Sequence, residues 1–402
     1  MEEPNLNTFA PKVPPKSDIN KKEIGFEKGA HIVVIGAGAF GGWSALYLRR
    51  KGYKVTLVDA WGPGHSRSSS GDETRVIRST YGANQVYFDM NVRALELWKE
   101  NEKRFGRKIF FNAGVIWFCY EDQTPLVDDS VPFAKTHKME YEYLQPDEVG
   151  KRYPLINVDD LHHAYFDPYG GYLKARDSVQ SVHEAFIKEG GQYIQNKVSV
   201  DAGLNTKGLL LSTGRKVAGD AYVFACGSWL GSLFPDVLGS VITCTKQEVY
   251  YFGPPAEESQ HFENLPVWVD VDGQDFYYGI PGNAYRGFKI GVDIRGEAFD
   301  PTSGDHTFTP SALESARKFI AHRFPKLKDA PLVEHRICPY ENSPDGNFVF
   351  DKHPGYDNVF LLGGGSGHGF KHGPALGELV ADVLSGAKEI PDLFLLQAAL
   401  KP

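Results

Sequence analysis

The chain has 402 residues, which at about 150 residues per domain points to two or three domains. Hydrophobic residues make up 42% and charged residues 23%, with 20 Tyr and 26 Phe, so the sequence can fill a large core and is not that of a disordered chain. Forty-three Lys and Arg against 51 Asp and Glu leave a net charge of −8, which removes any global attraction to nucleic acid, and no run of about 18 apolar residues is available to span a membrane.

Residues 1–30 are polar and Pro-rich, without the apolar stretch of a secretory signal, and read as a flexible arm, free or in part ordered against the body. The apolar run Ile32–Ile35 then reads as a buried parallel strand. Gly36, Gly38 and Gly41 follow, then a helical pattern over Trp43–Arg50 and a second strand, Lys54–Val58, ending in Asp59. This is a strand, a Gly-rich turn, a helix, a strand and an acid. Gly36 permits the tight turn, Gly38 lets backbone approach a pyrophosphate, and Gly41 lets helix and strand pack closely. The helix N-terminus offers free N–H groups to phosphates, and Asp59 stands where a ribose-binding acid is expected. The unit therefore predicts dinucleotide binding.

A Gly- and Ser-rich stretch, residues 62–71, precedes Thr74-Arg-Val-Ile-Arg78, and residues 86–103 have a helical pattern. Strands are expected over residues 115–120, 222–225 and 249–252, and a helix over 312–324. A late strand, Val359–Leu362, runs into Gly363-Gly-Gly-Ser-Gly-His-Gly369, followed by a helix over Pro374–Leu384. A second Gly-rich turn between strand and helix is either a further cofactor contact or a structural turn. The first reading makes the nucleotide domain discontinuous: residues 31–85, 155–245 and 335–402, with a substrate domain from 86–154 and 246–334.

Cys119, Cys226, Cys244 and Cys338 are far apart, with no CxxC pair, which argues against a cysteine zinc site or a disulfide framework and favours a reducing cytoplasm. The thirteen His form no helix-spaced ligand pair beside a carboxylate, so no metal is expected.

Five ordered motifs resemble the monomeric sarcosine oxidase family of flavin-dependent amine oxidases. They are the Gly-rich turn with Phe40; Thr74-Arg-Val-Ile-Arg78 with Tyr81-Gly82; Tyr277-Tyr-Gly279 with Lys289-Ile-Gly291; Cys338-Pro-Tyr340 before Pro344-Asp345; and Ser366-Gly-His-Gly-Phe-Lys371. The resemblance implies an α/β fold: a discontinuous Rossmann-like, doubly wound FAD-binding domain and a second, α+β domain with a mixed or antiparallel sheet. It implies FAD as cofactor, contacted also by Ser69, Ser70, Thr74, Arg75, Gly367, Gly369 and Lys371 and joined covalently through Cys338. It implies Lys289 above the flavin as the group that helps oxygen accept an electron, and Arg78 with Lys371 as a carboxylate clamp. Tyr278, Tyr340 and His368 would line the substrate pocket. The partners implied are a small amino acid and O2, and the family name implies a monomer.

The implied reaction is oxidation of an amino acid C–N bond to an imine, with O2 reduced to H2O2. A flavin dehydrogenase, a biosynthetic imine-forming oxidase of a primary amino acid and a non-catalytic flavin-binding module are the alternatives. The chain departs from the family at Ser69-Ser-Gly-Asp-Glu-Thr74, where His is frequent, and after Lys289-Ile-Gly291, where Val292-Asp293 replace an aromatic residue and His. Asp293 is either a surface acid or, if it faces the substrate, a partner for a second amine.

Overall fold

The computed structural model describes residues 24–200, 208–271, 276–282 and 285–400. Most of the expected arm lies outside the described residues. Its end, residues 24–30, is ordered against the body: Phe26 N–H donates to Leu384 O (2.8 Å), and the Tyr53 hydroxyl donates to Phe26 O (2.9 Å).

The expected βαβ unit forms as β1 (His31–Ile35), α1 (Ala39–Arg50) and β2 (Lys54–Asp59). Both strands belong to a six-stranded sheet whose order is Val349–Lys352, Val359–Gly363, Ala221–Phe224, β1, β2, Gln192–Gln195. All neighbours are parallel except the edge strand Val349–Lys352. The sheet thus gathers strands from the start, middle and end of the chain, as the discontinuous fold requires.

The two-residue period of a strand decides what each side chain meets. Ile32 and Val34 face a core shared with α1 and the helix Gly373–Leu384, whereas Val33 and Ile35 face the opposite core. That second face is covered by a three-stranded sheet (Val198–Ser199, Leu209–Leu211, Lys216–Val217) and by one-turn helices around Leu230 and Leu238, where a doubly wound sheet carries a full helical layer.

An eight-stranded sheet builds the other half, in the order Leu332–Asn342, Thr243–Phe252, Phe288–Val292, Phe276–Ile280, Val267–Val271, Val115–Cys119, His163–Asp167, Glu142–Leu144. It is mixed, because Val267–Val271 runs parallel to Val115–Cys119 while the other pairs are antiparallel. His163–Asp167 falls inside the segment 155–245 expected on the nucleotide side, yet it pairs here, with Trp117 opposite Tyr165. Aromatic pairs across a ladder stabilise that register. A third, small sheet joins β3 (Thr74–Ile77) to Gly171–Lys174 and Phe110–Phe111. The long helix α2 (Gln85–Phe105) packs Trp98 edge-on against Trp43 of α1, and the Trp98 indole N–H donates to Lys371 O (2.8 Å). In this way α2 fixes the late loop that carries Lys371.

Candidate active site

Two adjoining cavities lie where the sheets meet. The larger, about 1370 Å³ out to open solvent, runs along the C-terminal ends of β1 and β2. The smaller, about 510 Å³, opens under the eight-stranded sheet. Arg75, Tyr340, Gly367 and Phe370 line both and mark the junction.

The Gly-rich turn forms one wall of the larger cleft. Gly36 has φ +105°, and a Cβ there would lie 2.1 Å from Ala225 O. A Cβ at Gly41 would lie 1.9 Å from Gly36 O, so α1 can cross the turn at this distance only with glycine. At Gly38 the nearest protein atom to a Cβ is Ser70 Oγ at 3.6 Å, so the space in front of it belongs to the cleft. Helix α1 starts at Gly38 with no acid in its first turn, and Ala39 N–H donates to Ser70 Oγ (3.1 Å). Its positive dipole end therefore faces an opening. Asp59 ends β2 and accepts from the backbone of Ala37, Trp61 and Gly62 at 2.7–2.8 Å while lining the cleft. Phe40, Ser69, Ser70, Gly367 and Gly369 line it too.

Behind the junction lies a closed polar knot. Asp72 receives Lys289 Nζ (2.5 Å), Arg75 Nη1 (2.5 Å), the Tyr251 hydroxyl (2.6 Å) and Glu73 N–H (2.7 Å). Burial alone would raise the Asp72 carboxyl, but Lys289 and Arg75 outweigh it and hold it well below the ordinary range. Lys289 is 1% exposed and also donates to Thr74 O (2.9 Å); burial lowers its pKa, and Asp72 opposes that shift. Arg75 continues the knot to Ser69 O (2.7 Å) and Cys338 Sγ (2.9 Å). Burial raises the Cys338 thiol, while the Arg75 cation draws it down. Thr74, Cys338, Lys289 and Gly41 therefore stand just behind the cavity walls, whereas the other expected residues line them.

The smaller cavity gathers Arg78, Tyr278, Tyr340, His368 and Lys371, as the motifs anticipate, and adds Asp293. Arg78 and Lys371 both lie over the Tyr81 ring, 4.7 and 5.4 Å from its centroid. Arg78 also lies over Trp117 and donates to Thr80 O. Lys371 Nζ donates to His368 O (2.8 Å) and has no carboxylate within ion-pair distance among the described residues. Burial lowers its pKa well below the usual range, and Arg78 pushes it further down.

His368 is neutral, its pKa pushed down to about 3 by burial and then by Lys371. Its Nε2 contacts Gly346 O (2.9 Å), so Nε2 carries the proton and Nδ1 accepts from the Tyr81 hydroxyl (3.2 Å). With that hydroxyl proton used, His372 Nε2–H donates to Tyr81 Oη (2.7 Å).

Sequence reasoning passed over Glu341. It lines the larger cleft and is pushed up to about 7 by burial, against hydrogen bonds from Gly365 and Gly364. Its Oε2 has no partner among the described residues. A single charged residue in the otherwise uncharged stretch 337–343 was the available signal.

A family model described as "FAD dependent oxidoreductase" matches residues 31–383. The chain belongs to this family. Among its relatives, a monomeric sarcosine oxidase of Bacillus sp. (strain B-0618) is 28% identical over 90% of this chain and 94% of the relative. An N-methyl-L-tryptophan oxidase of Salmonella enteritidis PT4 (strain P125109) is 27% identical over 90% and 96%. In fold, the chain is similar to a modified fructosyl peptide oxidase from Aspergillus nidulans (TM-score 0.79, 20% identity, 92% and 94% covered). It is also similar to the L-proline dehydrogenase of P. horikoshii (TM-score 0.76, 21% identity, 90% and 95% covered). The FAD dependent oxidoreductase is thus an enzyme of the class its motifs implied, and the relatives named as oxidases agree with amine oxidation. The residues of the larger cleft fit FAD: the open space at Gly38, the acid-free first turn of α1, Asp59 at the end of β2, and the Arg75–Tyr340–Gly367 junction. No helix among the described residues is long and apolar enough to cross a membrane.

Proposed function

We infer that the protein oxidises the C–N bond of an amino acid, preferably a secondary or N-substituted amine, and passes the electrons to O2 to give H2O2. The observation that carries this reading is the pair Arg78 and Lys371 over one Tyr81 ring, two cations with no carboxylate within ion-pair distance among the described residues, on the wall of a cavity adjoining the FAD cleft. A forked guanidinium beside a point charge suits a carboxylate.

Gly36, Gly38, the start of α1 and Ser70 would hold the pyrophosphate, Asp59 the ribose, and Arg75, Gly367 and Gly369 the flavin end. FAD, when bound, supplies a two-electron acceptor that O2 can discharge. The chain's own residues do the rest. Arg78 and Lys371 orient the substrate by its carboxylate, and Tyr278 and Tyr340 close the cavity and exclude water. The amine must be neutral to release electrons, and the cations beside it favour that form. The substrate gives up two electrons and two protons, one proton from carbon and one from nitrogen, and water then hydrolyses the imine to a carbonyl compound and an amine. Lys289, held by Asp72, supplies fixed positive charge for the oxygen half-reaction. Covalent attachment through Cys338 is supported by its place beside Arg75, whose cation opposes the rise that burial imposes on the thiol. A monomer in the cytoplasm is supported by the name of the sarcosine oxidase relatives and by four free cysteines.

The test is anaerobic bleaching of the visible flavin band by N-methyl amino acids and by the matching N-methyl amines that lack the carboxylate. Bleaching by the acids alone is expected. Equal bleaching by the amines removes the carboxylate clamp from the reading, and no bleaching by either class removes amine oxidation. Oxygen uptake with peroxide formation separates the oxidase from a dehydrogenase.

A further inference from the structure

Asp293 is the odd charge of the smaller cavity. It directly follows the strand Phe288–Val292, and its N–H donates to Phe276 O (2.7 Å). Its carboxylate has no hydrogen-bond or ion-pair partner among the described residues, although Arg78, Lys371 and Arg295 are all close enough to influence it. A Cβ built at Gly367, a residue of both cavities, would lie 2.9 Å from Asp293 Oδ1. The acid therefore stands inside the substrate cavity, close to its junction with the cofactor cleft. A partly buried carboxylate without a partner is costly and is relieved by a ligand cation.

The reacting nitrogen is the wrong cation for it. That nitrogen must be neutral when it gives up electrons, and a fixed anion beside it would stabilise the protonated form. A cation that stays charged throughout the reaction has no such conflict. Val76, Val269 and Phe276 line the same cavity and offer an apolar wall for a methylene stem.

We propose that the preferred substrate is an N-substituted amino acid whose side chain ends in a second, persistently charged cation, an ammonium or guanidinium, which pairs with Asp293 while the carboxylate pairs with Arg78 and Lys371. This rests on the amino acid reading above. Asp293 then sets specificity: it attracts a basic side chain and repels an acidic one.

The test uses the FAD-loaded protein and three Nα-methyl amino acids of similar length: those of lysine, norleucine and glutamate. Binding is read from perturbation of the visible flavin band, and reaction from its anaerobic bleaching. The lysine compound is expected to bind about tenfold more tightly than the norleucine compound, with the glutamate compound weakest. In Asp293→Asn the lysine-to-norleucine ratio is expected to fall to about one. A wild-type ratio of one overturns the proposal, and so does a ratio that survives in Asp293→Asn. Equal weakening of all three compounds by Asp293→Asn also overturns it, because it would put the acid on the shared reacting nitrogen. Should the Asn variant fail to fold, the wild-type series decides alone. Binding without bleaching by any member defeats amine oxidation but leaves the charge series to decide Asp293. No binding by any member defeats both.

Discussion

Two buried lysines on opposite sides of the junction show how the same side chain serves two purposes. Lys289 is closed: a carboxylate and a carbonyl satisfy it, and Asp72 also gathers Arg75 and Tyr251. Lys371 is open: one carbonyl holds it, Arg78 shares its aromatic platform, and neither cation has a paired acid among the described residues. The closed knot stabilises the fold and holds one charge in place. The open pair has Asp293 in the same cavity but no carboxylate in ion-pair contact among the described residues, which leaves room for a ligand's.

The largest effect expected from this contrast lies at Asp72. Asp72→Asn leaves Lys289 and Arg75 buried without their counter-ion, and should destabilise the protein by about 3–5 kcal/mol in chemical unfolding. The folded-state pKa is depressed, so the stability Asp72 contributes is fully present above its ordinary value of 3.8 and is lost as pH falls toward the folded value. An unchanged midpoint would show the knot to be dispensable. At the open lysine the outcome should reverse. Lys371→Met should weaken binding of an N-methyl amino acid about 100-fold, with little change in stability or flavin content. An equal loss for the amine lacking the carboxylate would break the comparison.

Lys289→Met probes the closed lysine's chemistry. Flavin reduction by substrate should stay within about threefold, while reoxidation by O2 slows about 100-fold in stopped flow. Reoxidation at the wild-type rate would remove Lys289 from the oxygen step. The smallest effect belongs to Glu341, whose folded pKa of about 7 exceeds its ordinary 4.5. Stability is therefore lost as pH rises from 4.5 through 7. In FAD-free protein, Glu341→Gln should remove that slope and gain about 1–2 kcal/mol at pH 8, less than full linkage because the amide N–H₂ needs partners of its own.

What could be read from the sequence follows distance along the chain. Gly36, Gly38, Gly41 and Asp59 were legible because one βαβ unit fixes their geometry within a single turn and its flanks. The regular elements were legible through periodicity, though Thr243–Phe252 extends well beyond the apolar stretch 249–252 that announced it. The residue types of the smaller cavity came through the family resemblance. The pairing of Lys289 with Asp72 joins residues 217 positions apart, and nothing local announces it. Glu341 was missed for a similar reason: its environment comes from the late Gly-rich turn and from Cys226 and Cys244. Asp293 was visible only as a departure, and its place in the cavity depends on how strand Phe288–Val292 meets Phe276.

The six-stranded sheet also sets a timetable for synthesis. β1 and β2 are made first, but β1 must pair with Ala221–Phe224, and that strand must in turn pair with Val359–Gly363. The opening βαβ unit therefore leaves the ribosome with both edges unpaired, since β2 must also wait for Gln192–Gln195, and it waits roughly tens of seconds for its last neighbour at ordinary elongation rates. During that interval an apolar strand edge is open to wrong partners. In the proposed site FAD would lie between Gly36 at one wall and Gly367 at the other, so it could act as a folding ligand only near the end, and shortage of flavin should show up as aggregation of nearly complete chains.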